Sequence, residues 1–143
     1  MKSILLAGVM AAGLCMAQPR GVGSPAETTR IINDCERRTN SFKKTLDRAL
    51  ARDDVRAGQY REDQLNDKAK RLEDEMDRVG DSWNRDHNPD RARDHVRVAI
   101  GLAGDINRAM RNWRMGPEAE NEWAAIRDDL NRLARTFGLQ RVR

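Results

Sequence analysis

The sequence predicts an all-α protein, an antiparallel up-down-up-down four-helix bundle preceded by a cleaved signal peptide, and three observations point there. Apolar residues recur in steps of three and four along four separate segments, the spacing that places them on one face of a helix. Two of the connections between those segments are sharp punctuations, Asn88-Pro89 and Met115-Gly116-Pro117, and connections this short force antiparallel neighbours. The 143 residues, 38% hydrophobic against 35% charged, suit one small helical domain better than a sheet protein.

Lys2, the apolar run from Ile4 to Met16 and the small residue Ala17 read as a secretory signal peptide over residues 1–17, cleaved after Ala17. That run is too short for a membrane anchor, and no later segment is apolar for long enough to be one. The expected product is exported, periplasmic or secreted, with no stable membrane span. Cys15 lies where a lipoprotein cysteine would sit, but Leu14 before it is not the small residue a lipidation signal wants. Removal of the signal leaves Cys35 as the sole cysteine, so stability has to come from packing rather than from an internal disulfide. Residues 18–24, with Pro19, Gly21 and Gly23 and no apolar period, read as a flexible leader.

The bundle is expected over residues 25–139. Ser24 and Pro25 make an N-cap and first helical residue, and Glu27 puts an anion in the first turn. The first seam is Ile32, Cys35, Thr39, Phe42, Leu46 and Ala49, fading near residue 52. Val55 to Tyr60, with Gly58, forms the longest connection. The second helix, from about Arg61 to His87, carries the most regular seam: Leu65, Ala69, Leu72, Met76, Val79 and Trp83. Gly80 lies inside it and predicts a bend rather than a break.

Asn88 caps and Pro89 opens the third helix, whose seam is Ala92, Val96, Ala99, Ala103, Ile106, Met110 and Trp113. Val98, Ile100 and Leu102 widen its apolar arc, which demands an additional covering surface. The fourth helix opens after Gly116-Pro117 with Glu118, Glu120 and Glu122, and its seam is Ala119, Trp123, Ile126, Leu130, Leu133 and Phe137. Gly138 supplies a C-terminal cap with Leu139 as its hydrophobic contact, and residues 140–143 read as a frayed tail. The competing architecture, a long coiled coil pairing between chains, requires both proline punctuations to fail.

Chemistry is sparse. The formal charge of +4 falls by one when Lys2 is removed, and the remaining charges interleave along every helix, which is not a nucleic-acid footprint. A pI near 9.5 still favours weak, salt-screened attraction to anionic polymers or lipid surfaces. No metal, cofactor or catalytic residue is expected. Neither His87 nor His95 sits in a Glu-x-x-His pair, and both read as solvated or capping groups near a turn. Carboxylates fall in exposed runs such as Glu73, Asp74 and Glu75, or in pairs spaced for surface bridges, including Asp67 with Arg71, Asp74 with Arg78, and Asp128 with Arg132. Trp113 and Trp123 are expected to meet at one pole, with Trp83 at the other. Cys35 is expected to be buried on the seam as an inert small hydrophobe; turned outward, it would be a redox handle or an intermolecular disulfide.

At Arg38-Thr39-Asn40-Ser41-Phe42, Leu46 to Leu50, Arg61 to Asn66, and Trp123 through Leu130 to Ala134, the chain resembles a group of small exported helical proteins of environmental bacteria. The resemblance implies the fold and the export, and no activity. Beside these motifs, Asp47, Asn66 and Asn131 flank the seam and are candidates for bonds across helices. The expected function is a non-enzymatic extracytoplasmic binding or structural module of the cell envelope, monomeric or weakly homo-oligomeric, whose partner is an envelope protein or polymer and not nucleic acid. The alternatives are a metal or cofactor carrier using the bundle interior, and a membrane-surface-active helical protein.

Overall fold

The computed structural model of the protein describes residues 23–52 and 59–143. The expected signal peptide with Cys15, most of the leader and most of the first connection lie outside the described residues. Four α-helices follow in order, α1 (Pro25–Leu50), α2 (Gln59–Gly80), α3 (Pro89–Asn112) and α4 (Pro117–Thr136), and a π-helical turn, Asp81–Arg85, extends α2.

The helix starts follow the cap chemistry. Ser24 Oγ accepts the Glu27 N–H at 3.2 Å and Asn88 Oδ1 accepts the Arg91 N–H at 3.0 Å, each just before a proline whose missing N–H is harmless there. Gly116 precedes Pro117 at φ 93°, a left-handed backbone that a side chain would strain. At the far end of α4, Gly138 adopts φ 63° and the Leu139 N–H reaches back to the Ala134 carbonyl at 2.7 Å, the closing bond of a glycine-terminated helix.

α1 packs on α2 and α4, α2 packs on α3, and α3 touches α4 least. Both proline punctuations turn the chain, so the helices pair within one molecule as an antiparallel four-helix bundle rather than between chains. The seams fill the centre: Ile32, Leu46, Leu72, Met76, Val79, Ile106, Ile126 and Leu130 are fully buried. No helix of the described residues is long and apolar enough to cross a membrane.

Three expectations are corrected. The second helix does not run on as α-helix to His87: after Gly80 the backbone widens into the π-turn, closed by the Asp86 N–H on the Asp81 carbonyl at 2.9 Å. The extra residue rotates the seam, so Ser82 takes the buried position and Trp83 is only partly covered. Residues 140–143 do not fray. Val142 is buried in the core, its N–H donates to Asn131 Oδ1 at 2.8 Å, and the Arg143 carbonyl accepts from Asn107 Nδ2 at 2.7 Å. This segment straps α3 to α4 at the seam where they touch least, and it supplies part of the cover that the wide apolar arc of α3 requires. Trp113 and Trp123 do not pair either: the ring of Trp123 lies 5.4 Å from Phe42, and Trp113 sits partly buried at the edge of the core.

Candidate functional site

The π-turn, the start of α1 and the start of α3 meet at one pole of the bundle and enclose an open cleft of about 370 Å³ lined by Pro25, Thr29, Trp83, Asn84, His87 and Pro89. Each wall follows from local chemistry. The two prolines stand there because each opens a helix at this pole. Trp83 is swung into place by the π-turn, and its indole Nε1–H donates to Thr29 Oγ1 at 3.0 Å, while Phe137 meets its ring edge-on at 5.7 Å. The indole is thereby fixed at its polar atom and along one edge. His87 holds φ 49°, a left-handed conformation that lets the chain reverse between π-turn and cap.

Asn84 is shared with a second, polar depression lined by Glu36, Asp77, Gly80, Asp81 and Arg85. Burial, and then the charges of Asp77 and Asp81, push the Glu36 carboxyl up to about 7. Asp77 is also raised, by burial and by Glu73, Asp74 and Asp81, whereas Asp81 is paired with Arg85 at 3.1 Å. Gly80 permits the approach: a Cβ there would overlap the Glu36 carboxylate. The apolar cleft thus has an acidic flank.

His87 and Trp83, both singled out in the sequence, line this cleft, while Cys35, His95 and the polar seam neighbours lie elsewhere. Cys35 is fully buried, and its thiol is raised far above the ordinary range by burial and then by Asp129. The structure thus places the free thiol inside, on the seam, rather than on the outward face that an intermolecular disulfide or a redox handle would need. His95 is not a solvated group: its Nδ1 lies 2.9 Å from Glu75 Oε2 and ties α3 to α2. Arg78 bonds Glu75 rather than Asp74, and Arg132 reaches Asp129 and Glu27 rather than Asp128. Of the three polar seam neighbours, Asn131 bonds the strap, Asp47 is exposed, and Asn66 Oδ1 is buried without a partner among the described residues.

Sequence reasoning missed the burial of Thr28, Thr45, Ser82, Asn107 and Asp129, and the last two of these bond across helices. Asp129, 3% exposed, is held by Arg38 at 2.5 Å, and burial still lifts its carboxyl above the ordinary value. Asn107, also 3% exposed, accepts the Trp123 indole N–H at 3.0 Å while donating to the strap. The signal was available: Asn107 stands four residues after Ala103 and Asp129 three after Ile126, both at helical spacing from seam positions.

Comparison with models of protein families, with curated proteins and with solved structures finds no match.

Proposed function

We propose that this chain is a non-enzymatic binding module exported to the cell envelope, and that the apolar cleft at Trp83 takes a small ligand with an apolar body and a positive group. The observation that carries this reading is the cleft itself, large enough for a small molecule, walled by Trp83 and two prolines, and flanked by the carboxyl groups of Glu36 and Asp77, which make no ion pair among the described residues. An aromatic face attracts a cation through its quadrupole, by about 0.5 to 2 kcal/mol depending on solvation, and a cation alongside favours the ionised form of carboxyls that burial and neighbouring acids hold above their ordinary values. Binding rather than catalysis fits because the one hydroxyl on the walls, that of Thr29, is engaged by the Trp83 indole N–H rather than by His87. Export rests on the apolar N-terminal run and its small-residue cleavage site. Among the described residues no group of three His, Cys, Asp or Glu side chains is placed to hold a metal ion, so no observation favours the carrier alternative.

The test is titration with benzyltrimethylammonium against benzyl alcohol, following the indole N–H resonances by NMR. Saturable movement of the Trp83 resonance by the cation, weaker movement by the alcohol, and an affinity loss of about tenfold in Trp83→Ala support the reading. Cation binding that survives Trp83→Ala, or no saturable binding of either probe, overturns it.

A further inference from the structure

We propose that the groove between the outer face of α3 and the strap at residues 140–143 binds a linear phosphate polymer. The groove has a volume of about 560 Å³ and runs along α3 from Ile100 to Asn112, with Arg108 and Arg111 on the helix side and Arg141 and Arg143 on the strap side. It is separate from the Trp83 cleft and does not depend on the reading given there.

Three observations converge on it. The first is the placement of the strap. Val142 is buried, while Arg141 and Arg143 on either side of it are both exposed. The strap is held from both helices, by Asn131 on α4 and by Asn107 on α3, and Asn107 is itself fixed by Trp123. Two cations that would otherwise sweep freely are held beside two more.

The second is the state of those cations. Arg111, Arg141 and Arg143 make no ion pair among the described residues, and the groove gathers these three beside Arg108. Arg108 reaches only Asp105, at 3.4 Å, and that carboxylate is already held by Lys68 at 2.6 Å. Guanidinium groups left without carboxylates present their paired donors to an incoming anion, and phosphate oxygens match that fork.

The third is the floor. Gly101 and Gly104 sit inside α3, where each costs roughly 1 kcal/mol of helix stability relative to Ala. Nothing in the fold requires them, because a Cβ at either position would meet no atom within 4 Å. What they do is keep the floor of the groove low, so that a chain lying in it comes close to the helix backbone. A groove of this length, roughly 18 Å at the helical rise, is long for one isolated anion and suits a string of regularly spaced ones. Charge complementarity then selects the occupant, a flexible polymer with a phosphate on each unit.

Short-chain inorganic polyphosphate is the probe, titrated into the purified protein by calorimetry at two salt concentrations, with orthophosphate and phosphatidylglycerol vesicles as parallel arms. Saturable polyphosphate binding that weakens with salt, and a loss on the order of tenfold in the double variant Arg141→Gln, Arg143→Gln, are the expected results. Gly104→Leu leaves every charge in place and favours helix, so a comparable loss in that variant, with helical content and melting temperature no lower than wild type, assigns binding to the groove. The proposal is overturned by wild-type affinity in Gly104→Leu, or by an equal loss in the control Arg85→Gln, Arg91→Gln at the cleft pole, which reports diffuse attraction. Binding of vesicles without polyphosphate, or of orthophosphate as tightly as the polymer, overturns it as well.

Discussion

Glu36 shows how a single side chain acquires properties that its own neighbourhood in sequence does not announce. It stands one residue past Cys35 on α1, a position that reads as helix surface, and becomes half-buried because Gly80 on α2 lets the two backbones approach. Its carboxyl, ordinarily at 4.5, is raised to about 7 by burial and then by Asp77 and Asp81, so the folded state holds this proton over a range in which the unfolded chain has lost it. The sign follows: the favourable contribution is complete below about 4.5 and is lost as the pH climbs through about 7. Glu36→Gln is therefore expected to flatten stability between those limits and to leave the protein more stable than wild type above them, by on the order of 1 kcal/mol once solvent screening of a half-exposed group is allowed for. Urea unfolding of both proteins on either side of that window checks it, and a wild-type stability that rises through the window contradicts it. Cys35, the adjacent residue, was legible where Glu36 was not, because its burial is written in its own helix's period.

At the scale of the element, what the sequence hides is the backbone that leaves the regular path. The seam from Leu65 to Trp83 keeps its spacing through Gly80, so periodicity alone carries the helix straight on, and only the packed structure reveals the residue taken up by the π-turn. The last four residues mislead for the opposite reason: one apolar residue among three polar ones has no period, and their docking depends on amide side chains of two other helices. Asn107 is the centre of that arrangement. Asn107→Ala leaves the Trp123 indole N–H without its acceptor and frees the strap, and is expected to cost about 2 kcal/mol, well beyond an ordinary surface change. Equilibrium urea unfolding followed by tryptophan emission measures it, and a cost under about 0.5 kcal/mol would show that strap and indole are not held through this amide.

For the molecule as a whole, the four seams and the two proline turns specify the bundle, since each reads the same at the level of propensity, pattern and cap. The two surfaces proposed to bind ligands escape such a reading because each is assembled from elements distant in the chain: the cleft from residues near 25, 85 and 89, the groove from the middle of α3 and residues 140–143. α3 is common to both. Its first residue, Pro89, walls the cleft, while Gly101, Gly104 and Arg111 border the groove, so this unbroken helix acts as a ruler that separates the two centres by roughly 25 Å at the helical rise. Two occupants at that spacing are too far apart to collide, and a rigid helix between them has one arrangement to offer. The titration of benzyltrimethylammonium is accordingly expected to be the same with and without saturating polyphosphate, and a change in its affinity beyond about threefold would reveal coupling through the bundle. Under the two readings proposed above, a protein laid along an anionic strand by one half of this ruler would keep the mouth at its other end open, an oriented tether between a polymer and a small diffusible molecule.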